Sequence, residues 1–340
     1  MKEYKDCFTE EVSRAALYRR NYLESVVSLA EQTKKSREGE RERYIDPEGL
    51  KSNRDKYLAD FKSLLGDPMF DRKKQRDVQR IFVGMDGQGY IYRLVFTFEK
   101  GIRFCGLLFV PFDAKGKLPL VTAVHGGDGT PELMADMYGV NYYSHIVKRL
   151  LDKKVIVFAP QLLIWDGKVF GDRFDRFELD AKYKALGGSL TAFECECIMG
   201  ALDSLLDNDI IDGSRVGIAG LSYGGYYSLM TAILDERIKS VYSSGVFNDR
   251  LKYPRQDFTY FGMAEKMLDA ECAALIAPRS LYLEAGKNDG IFKYEGAVAE
   301  FERLKNYYDV IGGRLVFKLT DEGHKFDSTD DGIDFLIDNL

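Results

Sequence analysis

A chain of 340 residues with 45% apolar content can bury one large core. A net charge of −6 argues against nucleic acid as the main partner, and no apolar run approaches the length of a membrane span. The mixed-charge start Met1-Lys2-Glu3-Tyr4-Lys5-Asp6 has no hydrophobic stretch behind it, so a secretory signal is not expected and a cytoplasmic location is the default.

Residues 1–78 read as an N-terminal helical extension. Val12, Ala16, Leu17, Leu23, Val26, Val27 and Ala30 suggest one helix. Lys34 to Arg43 is dense in charge, as a solvated helix face or loop would be. A second amphipathic stretch carries Leu58, Phe61, Leu64 and Leu65. This extension shows no chemistry of its own and is expected to buttress the rest of the chain or to serve as a surface for a homo-oligomer.

Residues 79–340 read as a single α/β domain. Tyr90 to Phe98 and Phe104 to Val110 look like two antiparallel strands joined around Lys100-Gly101. Strands then alternate with helices, at 118–124, 154–160, 215–220, 240–246, 280–286 and 314–320, with a closing helix from about Asp331 to Leu340. That alternation implies a mostly parallel central sheet with helices on both faces.

Chemistry gathers at the carboxyl ends of these strands. Leu118 to Val124 runs into His125-Gly126-Gly127-Asp128-Gly129, whose glycines expose backbone N–H groups. His125 is expected to support this loop by hydrogen bonding, and His145, in a helical stretch from Tyr142 to Leu151, to be structural. Residues 161–190 form an insertion with the only tryptophan, Trp165, together with Phe170, Arg173, Phe174, Arg176 and Phe177. Cys195-Glu196-Cys197 has no histidine nearby and lies on a helical pattern, so neither a metal nor a cofactor is called for. The odd count of five cysteines (Cys7, Cys105, Cys195, Cys197, Cys272) shows no disulfide framework.

The run Val216-Gly217-Ile218-Ala219 leads into Gly220-Leu221-Ser222-Tyr223-Gly224 and then into Tyr226 to Met230. This is a strand, a pinched turn with serine at its tip, and a helix: a nucleophile elbow. Ser243 and Ser244 end another strand and read as structural. A second insertion, residues 247–275, holds Tyr253, Phe258, Tyr260, Phe261 and Met263. Insertions at strand ends overhang the serine, so they are the expected pocket walls, with Trp165 and Phe261 taken as substrate-binding residues. Strand 280–286 leads to Asn288-Asp289-Gly290, and strand 314–320 to Gly323-His324. Asp289 is the expected acid; Glu284, inside the strand, is its rival.

Each group has a part in acyl transfer. Ser222 attacks, His324 takes and returns the proton, and Asp289 orients the imidazole. The N–H of Tyr223 and one from the glycine loop, with Gly127 the first choice, would hold the oxyanion.

The order Ser222, Asp289, His324 and the segments 124–127, 211–225, 274–279 and 286–292 resemble the α/β-hydrolase superfamily from about residue 80 onward. Within it the chain is similar to dienelactone-hydrolase-like and acetyl xylan esterase-like carboxylesterases. True dienelactone hydrolases use cysteine as nucleophile, and this chain has Ser222. The resemblance implies a serine carboxylesterase acting on a small ester, such as an acetylated sugar. The alternatives are a serine peptidase of the prolyl-oligopeptidase-like type, a lyase or acyltransferase on the same fold, and a hydrolase-like binding protein without catalysis.

Overall fold

The computed structural model describes residues 10–74, 77–112, 115–139 and 141–340. Nine strands build one sheet: β1 (Asp77–Met85), β2 (Gly89–Thr97), β3 (Arg103–Pro111), β4 (Leu118–Val124), β5 (Ile156–Pro160), β6 (Ile211–Leu221), β7 (Ile238–Ser244), β8 (Ser280–Gly286) and β9 (Leu315–Thr320). Their spatial order is β1-β2-β3-β5-β4-β6-β7-β8-β9. The pairs from β1 to β5 across β3 are antiparallel, and all pairs from β5 to β9 are parallel.

Alternate side chains of the central strands feed two cores, one on each face of the sheet. Leu120, Val124, Ile218 and Val241 point to one, and Val121, Ala123, Ala219 and Tyr242 to the other. Strands covered on both faces are largely apolar, which is why β5 is a continuous hydrophobic run and β4 is broken only by the buried Thr122. The first core is roofed by α8 (Leu190–Leu205), α9 (Tyr223–Leu234), α10 (Asp269–Ala274) and α11 (Tyr294–Ile311), together with the N-terminal helices. The second is roofed by α5 (Ile146–Asp152) and α12 (Asp331–Asp338), with Met134 from the segment after β4. The α8 helix starts on a capping serine, whose Ser189 Oγ accepts the Ala192 N–H at 3.1 Å. Cys195 and Cys197 lie buried on it. Cys7 lies outside the described residues.

Among the described residues three helices precede β1: α1 (Val12–Tyr44), α2 (Pro47–Ser52) and α3 (Arg54–Leu65). Leu50, Tyr57, Phe61 and Leu65 enter the first core, whereas Leu17, Tyr22, Leu23 and Val27 of α1 stand in solvent. The charged run 34–43 is the second half of α1. No described helix is long and apolar enough to cross a membrane.

The structure differs from the sequence reading in three places. β1 is an edge strand absent from that reading, and it is exposed along nearly its whole length. The helical stretch expected from Tyr142 starts only at Ile146, because His145 takes a left-handed backbone at the cap. The insertions are partly helical, with α6 (Gly167–Phe170) and α7 (Arg176–Ala185) in the first and α10 in the second; a one-turn helix, α4 (Pro131–Met134), follows the glycine loop.

Candidate active site

Ser222 sits between β6 and α9 with φ 58° and ψ −122°, a backbone conformation that a non-glycine residue rarely adopts. Its N–H donates to the Ser244 carbonyl at 2.8 Å, and its carbonyl accepts from Tyr226 at 3.0 Å. The turn is tight enough to require glycine on both sides. A Cβ on Gly220 would stand 2.1 Å from the Gly224 carbonyl oxygen, and one on Gly224 would stand 1.9 Å from that of Val124.

The loops after β8 and β9 are laced together. Asn288 N–H donates to the Glu322 carbonyl at 3.0 Å, and Lys287 N–H to that of Thr320 at 2.8 Å. This brings Asp289 Oδ2 to 2.7 Å from His324 Nδ1. Asp289 Oδ1 accepts the N–H groups of Ile291 and Phe292 at 2.7 and 3.0 Å. Burial works to raise the Asp289 carboxyl, but the hydrogen bond and charge of His324 and these two amides outweigh it and hold it below the usual range. Glu284 is engaged elsewhere: it accepts from Tyr242 and Ser244 hydroxyls, both at 2.8 Å, and from Asp327 N–H at 3.0 Å.

The glycine loop lies against the elbow. Gly126 N–H donates to the Tyr143 hydroxyl at 2.8 Å, Asp128 N–H to the Ile164 carbonyl at 2.7 Å, and Gly129 N–H to that of Gly126 at 3.2 Å. Among the described residues the Gly127 amide has no such partner. The Tyr223 amide belongs to the first turn of α9, where amides have no carbonyl within the helix to bond. His125 is fully buried, and its Nε2 accepts the Leu162 N–H at 3.0 Å.

These groups open onto one cavity of about 560 Å³, lined among others by Gly127, Trp165, Ser222, Tyr223 and His324. Ser222 and His324 both face it, without a hydrogen bond between them in this structure. Trp165 is held by its Nε1–H, which donates to the Gly171 carbonyl at 3.0 Å, and by Phe174 at 4.8 Å between ring centres. Phe261 does not line the cavity. Its side chain is fully exposed, and Phe258, stacked on Tyr226 at 3.8 Å, takes the inward place in that insertion. His145 is away from the cavity, bonded to Asp136 at 2.7 Å.

Two arginines stand in the wall: Arg176, which the sequence reading placed in the first insertion without a role, and Arg255, which it did not single out. Arg176 is buried, with Nε donating to Asp257 at 2.7 Å, Nη2 to Glu194 at 3.0 Å, and Nη2 also to the Tyr227 hydroxyl at 2.6 Å. Arg255 reaches the Tyr223 hydroxyl. A lone arginine in a polar loop carries no sequence signal; a cation within an aromatic-rich insertion is the only hint.

The prolyl oligopeptidase family matches residues 185–271, the segment that spans the elbow. The chain is 32% identical over 132 residues to mouse (Mus musculus) prolyl endopeptidase FAP, an alignment that covers 38% of this chain and 16% of that protein. It therefore spans under a fifth of the length of this curated relative. Among solved structures, a putative acetyl xylan esterase from Bacteroides fragilis matches with TM-score 0.65 and 14% identity, over 82% of this chain and 77% of that one. A glucuronoyl esterase from Solibacter usitatus matches with TM-score 0.63 and 14% identity, over 86% and 93%. At such identity the likeness concerns the fold: the chain is an α/β-hydrolase in architecture.

Proposed function

We propose that the chain is a serine hydrolase that cleaves carboxylic esters of small substrates through an acyl-enzyme on Ser222. The observation that carries this reading is the Asp289–His324 pair at 2.7 Å, opening onto the same cavity as a serine held at φ 58°. Asp289 holds the proton of His324 on Nδ1, which leaves Nε2 free to accept the Ser222 proton. Attack on the ester carbonyl places negative charge on its oxygen, where the Tyr223 and Gly127 amides are the available donors. Losing one such donor costs on the order of 3 kcal/mol of transition-state stabilisation. His324 then protonates the departing alcohol, and water enters by the same route to release the acid.

A cavity of about 560 Å³ suits a small molecule. The shape likeness to a putative acetyl xylan esterase makes acetylated sugars the first substrates to try. A second reading, a serine peptidase, is favoured by the prolyl oligopeptidase family match over residues 185–271.

Hydrolysis of p-nitrophenyl acetate, butyrate and octanoate, beside peptide p-nitroanilides, separates the two. Ester turnover that falls with acyl length and drops at least about a thousandfold in Ser222→Ala is the expected result. A rate retained in that variant would overturn the mechanism, and cleavage of anilides but not esters would assign the peptidase reading.

A further inference from the structure

We propose that Arg255 is an anion-binding specificity residue of this cavity, and that the substrate carries a carboxylate about one ring's length from the scissile bond; this rests on the serine-hydrolase reading above. Arg255 is fixed in place. Its carbonyl accepts the Phe258 N–H at 2.9 Å and the Thr259 hydroxyl at 2.7 Å. Nε and Nη2 both donate to the Tyr223 hydroxyl, at 3.0 and 2.7 Å. The guanidinium carbon lies 4.7 Å from the centre of the Tyr223 ring and 5.7 Å from that of Phe177. Tyr223 directly follows Ser222, so the cation stands one tyrosine side chain away from the nucleophile.

Its charge is not used up. Nη1 has no hydrogen-bond partner among the described residues. Among the described residues, Asp257 is the one carboxylate within ion-pair reach, 3.9 Å from Nε. That carboxylate is fully buried and already accepts from Arg176 at 2.7 Å. Arg176 in turn is closed off, 9% exposed and shared between Asp257 and Glu194. Arg255 remains 39% exposed in the wall. The exposed carboxylate of Asp128, on the glycine loop, lines the same cavity and disfavours an anion there. A planar guanidinium with a free edge, held rigid by aromatic rings, is suited to carboxylate recognition. A residue that served only to prop Tyr223 would not need that edge.

The test uses 4-acetoxybenzoate and 4-acetoxybenzamide, which share the acetyl ester and differ in the charge at the far end of the ring. In Arg255→Gln the ratio of kcat/KM for the carboxylate over the carboxamide should fall about 10- to 100-fold, mainly through KM. Arg255→Lys should recover part of the ratio, because it restores the charge without the fork. An unchanged ratio in Arg255→Gln would overturn the inference and leave Arg255 as a prop for Tyr223. If the unaltered protein hydrolyses p-nitrophenyl acetate but neither of these esters, the inference is overturned; if it hydrolyses none of the three, the ester-hydrolase function proposed above fails and the subsite is read by binding alone. The probe is then 4-hydroxybenzoate against 4-hydroxybenzamide, followed by fluorescence of Trp165, the only tryptophan and a wall residue of the cavity. Preference for the carboxylate that disappears in Arg255→Gln sustains the subsite; equal binding of the two sinks it.

Discussion

Single residues here are held in states that free amino acids would not choose. Ser222 is strained by its turn, and the hydrogen bonds of its N–H and carbonyl to Ser244 and Tyr226 offset that strain. His125 is the second case. Burial first, against a smaller opposing effect of the Gly126 carbonyl, lowers its pKa to about 4. It is therefore neutral at pH 7, with the proton on Nδ1 directed to the Gly126 carbonyl at 2.9 Å and Nε2 accepting from Leu162. Protonation would cost one of these bonds and bury a charge. The sign follows: below pH 6.5 the unfolded chain takes up a proton that the folded chain refuses, so stability falls as pH drops from about 6.5 to about 4. The loss should be on the order of 3 kcal/mol. Urea unfolding at steps between pH 7 and 4.5 should give a steeper decline for the unaltered protein than for His125→Gln. Parallel curves would show that His125 does not titrate this way.

At the scale of elements, the strand–turn–helix of β6 and α9 is set by contact distances. Ala at position 224, in the first turn of α9, would drive a methyl group into the Val124 carbonyl, and β4 cannot retreat there without breaking the Val124–Gly220 step of the β4–β6 pairing. Gly224→Ala should cost at least about 3 kcal/mol, read by chemical denaturation or as loss of soluble protein. Gly87→Ala, where a Cβ meets nothing within 4 Å, should cost under about 1 kcal/mol. Equal effects would show that the turn has room to relax. The same locality explains what the sequence disclosed. The elbow, Asp289 and His324 each follow directly from an apolar strand, so a short window carries both the element and the chemistry. β1 gave no such sign: Val78, Ile81, Phe82, Val83 and Met85 are all exposed, so its side chains show no inward and outward alternation. Nor does composition say which aromatic residue of a loop turns inward. Phe258 does so because it stacks on Tyr226, three residues before the solvent-facing Phe261. Arg255 was illegible for the same reason, since its role depends on Phe177 and Tyr223, which are distant in sequence.

Across the whole molecule, the N-terminal helices are tied to the sheet domain by a buried charge cluster rather than by apolar packing alone. Arg41, near the end of α1, is 3.2 Å from Glu271 of α10 and donates to the Ala264 carbonyl at 2.8 Å. Arg303 of α11 meets the same Glu271 at 2.6 Å, and the Tyr307 hydroxyl donates to the Ile45 carbonyl at 2.9 Å. Glu300 adds a further carboxyl. Burial first, then the charges of Glu271 and Asp269, raise its pKa to about 8. Arg250 is taken by Asp269 at 2.6 Å, and Arg41 and Arg303 by Glu271 at 3.2 and 2.6 Å, which leaves buried Glu300 with Arg303 no nearer than 4.0 Å, so the fold prefers Glu300 protonated. Between pH 4.5 and about 8 the folded chain holds a proton that the unfolded chain has released, and stability must fall as pH rises through that window. Gln at this position copies the protonated form and carries no charge at any pH. Glu300→Gln should therefore match the unaltered protein near pH 4.5 and exceed it by on the order of 5 kcal/mol at pH 9, as measured by denaturant unfolding at the two values. A gap of the same size at both would trace the gain to packing and remove Glu300 as the source of the alkaline loss, whereas a gap that opens only above pH 4.5 would locate that loss where α1, α10 and α11 meet.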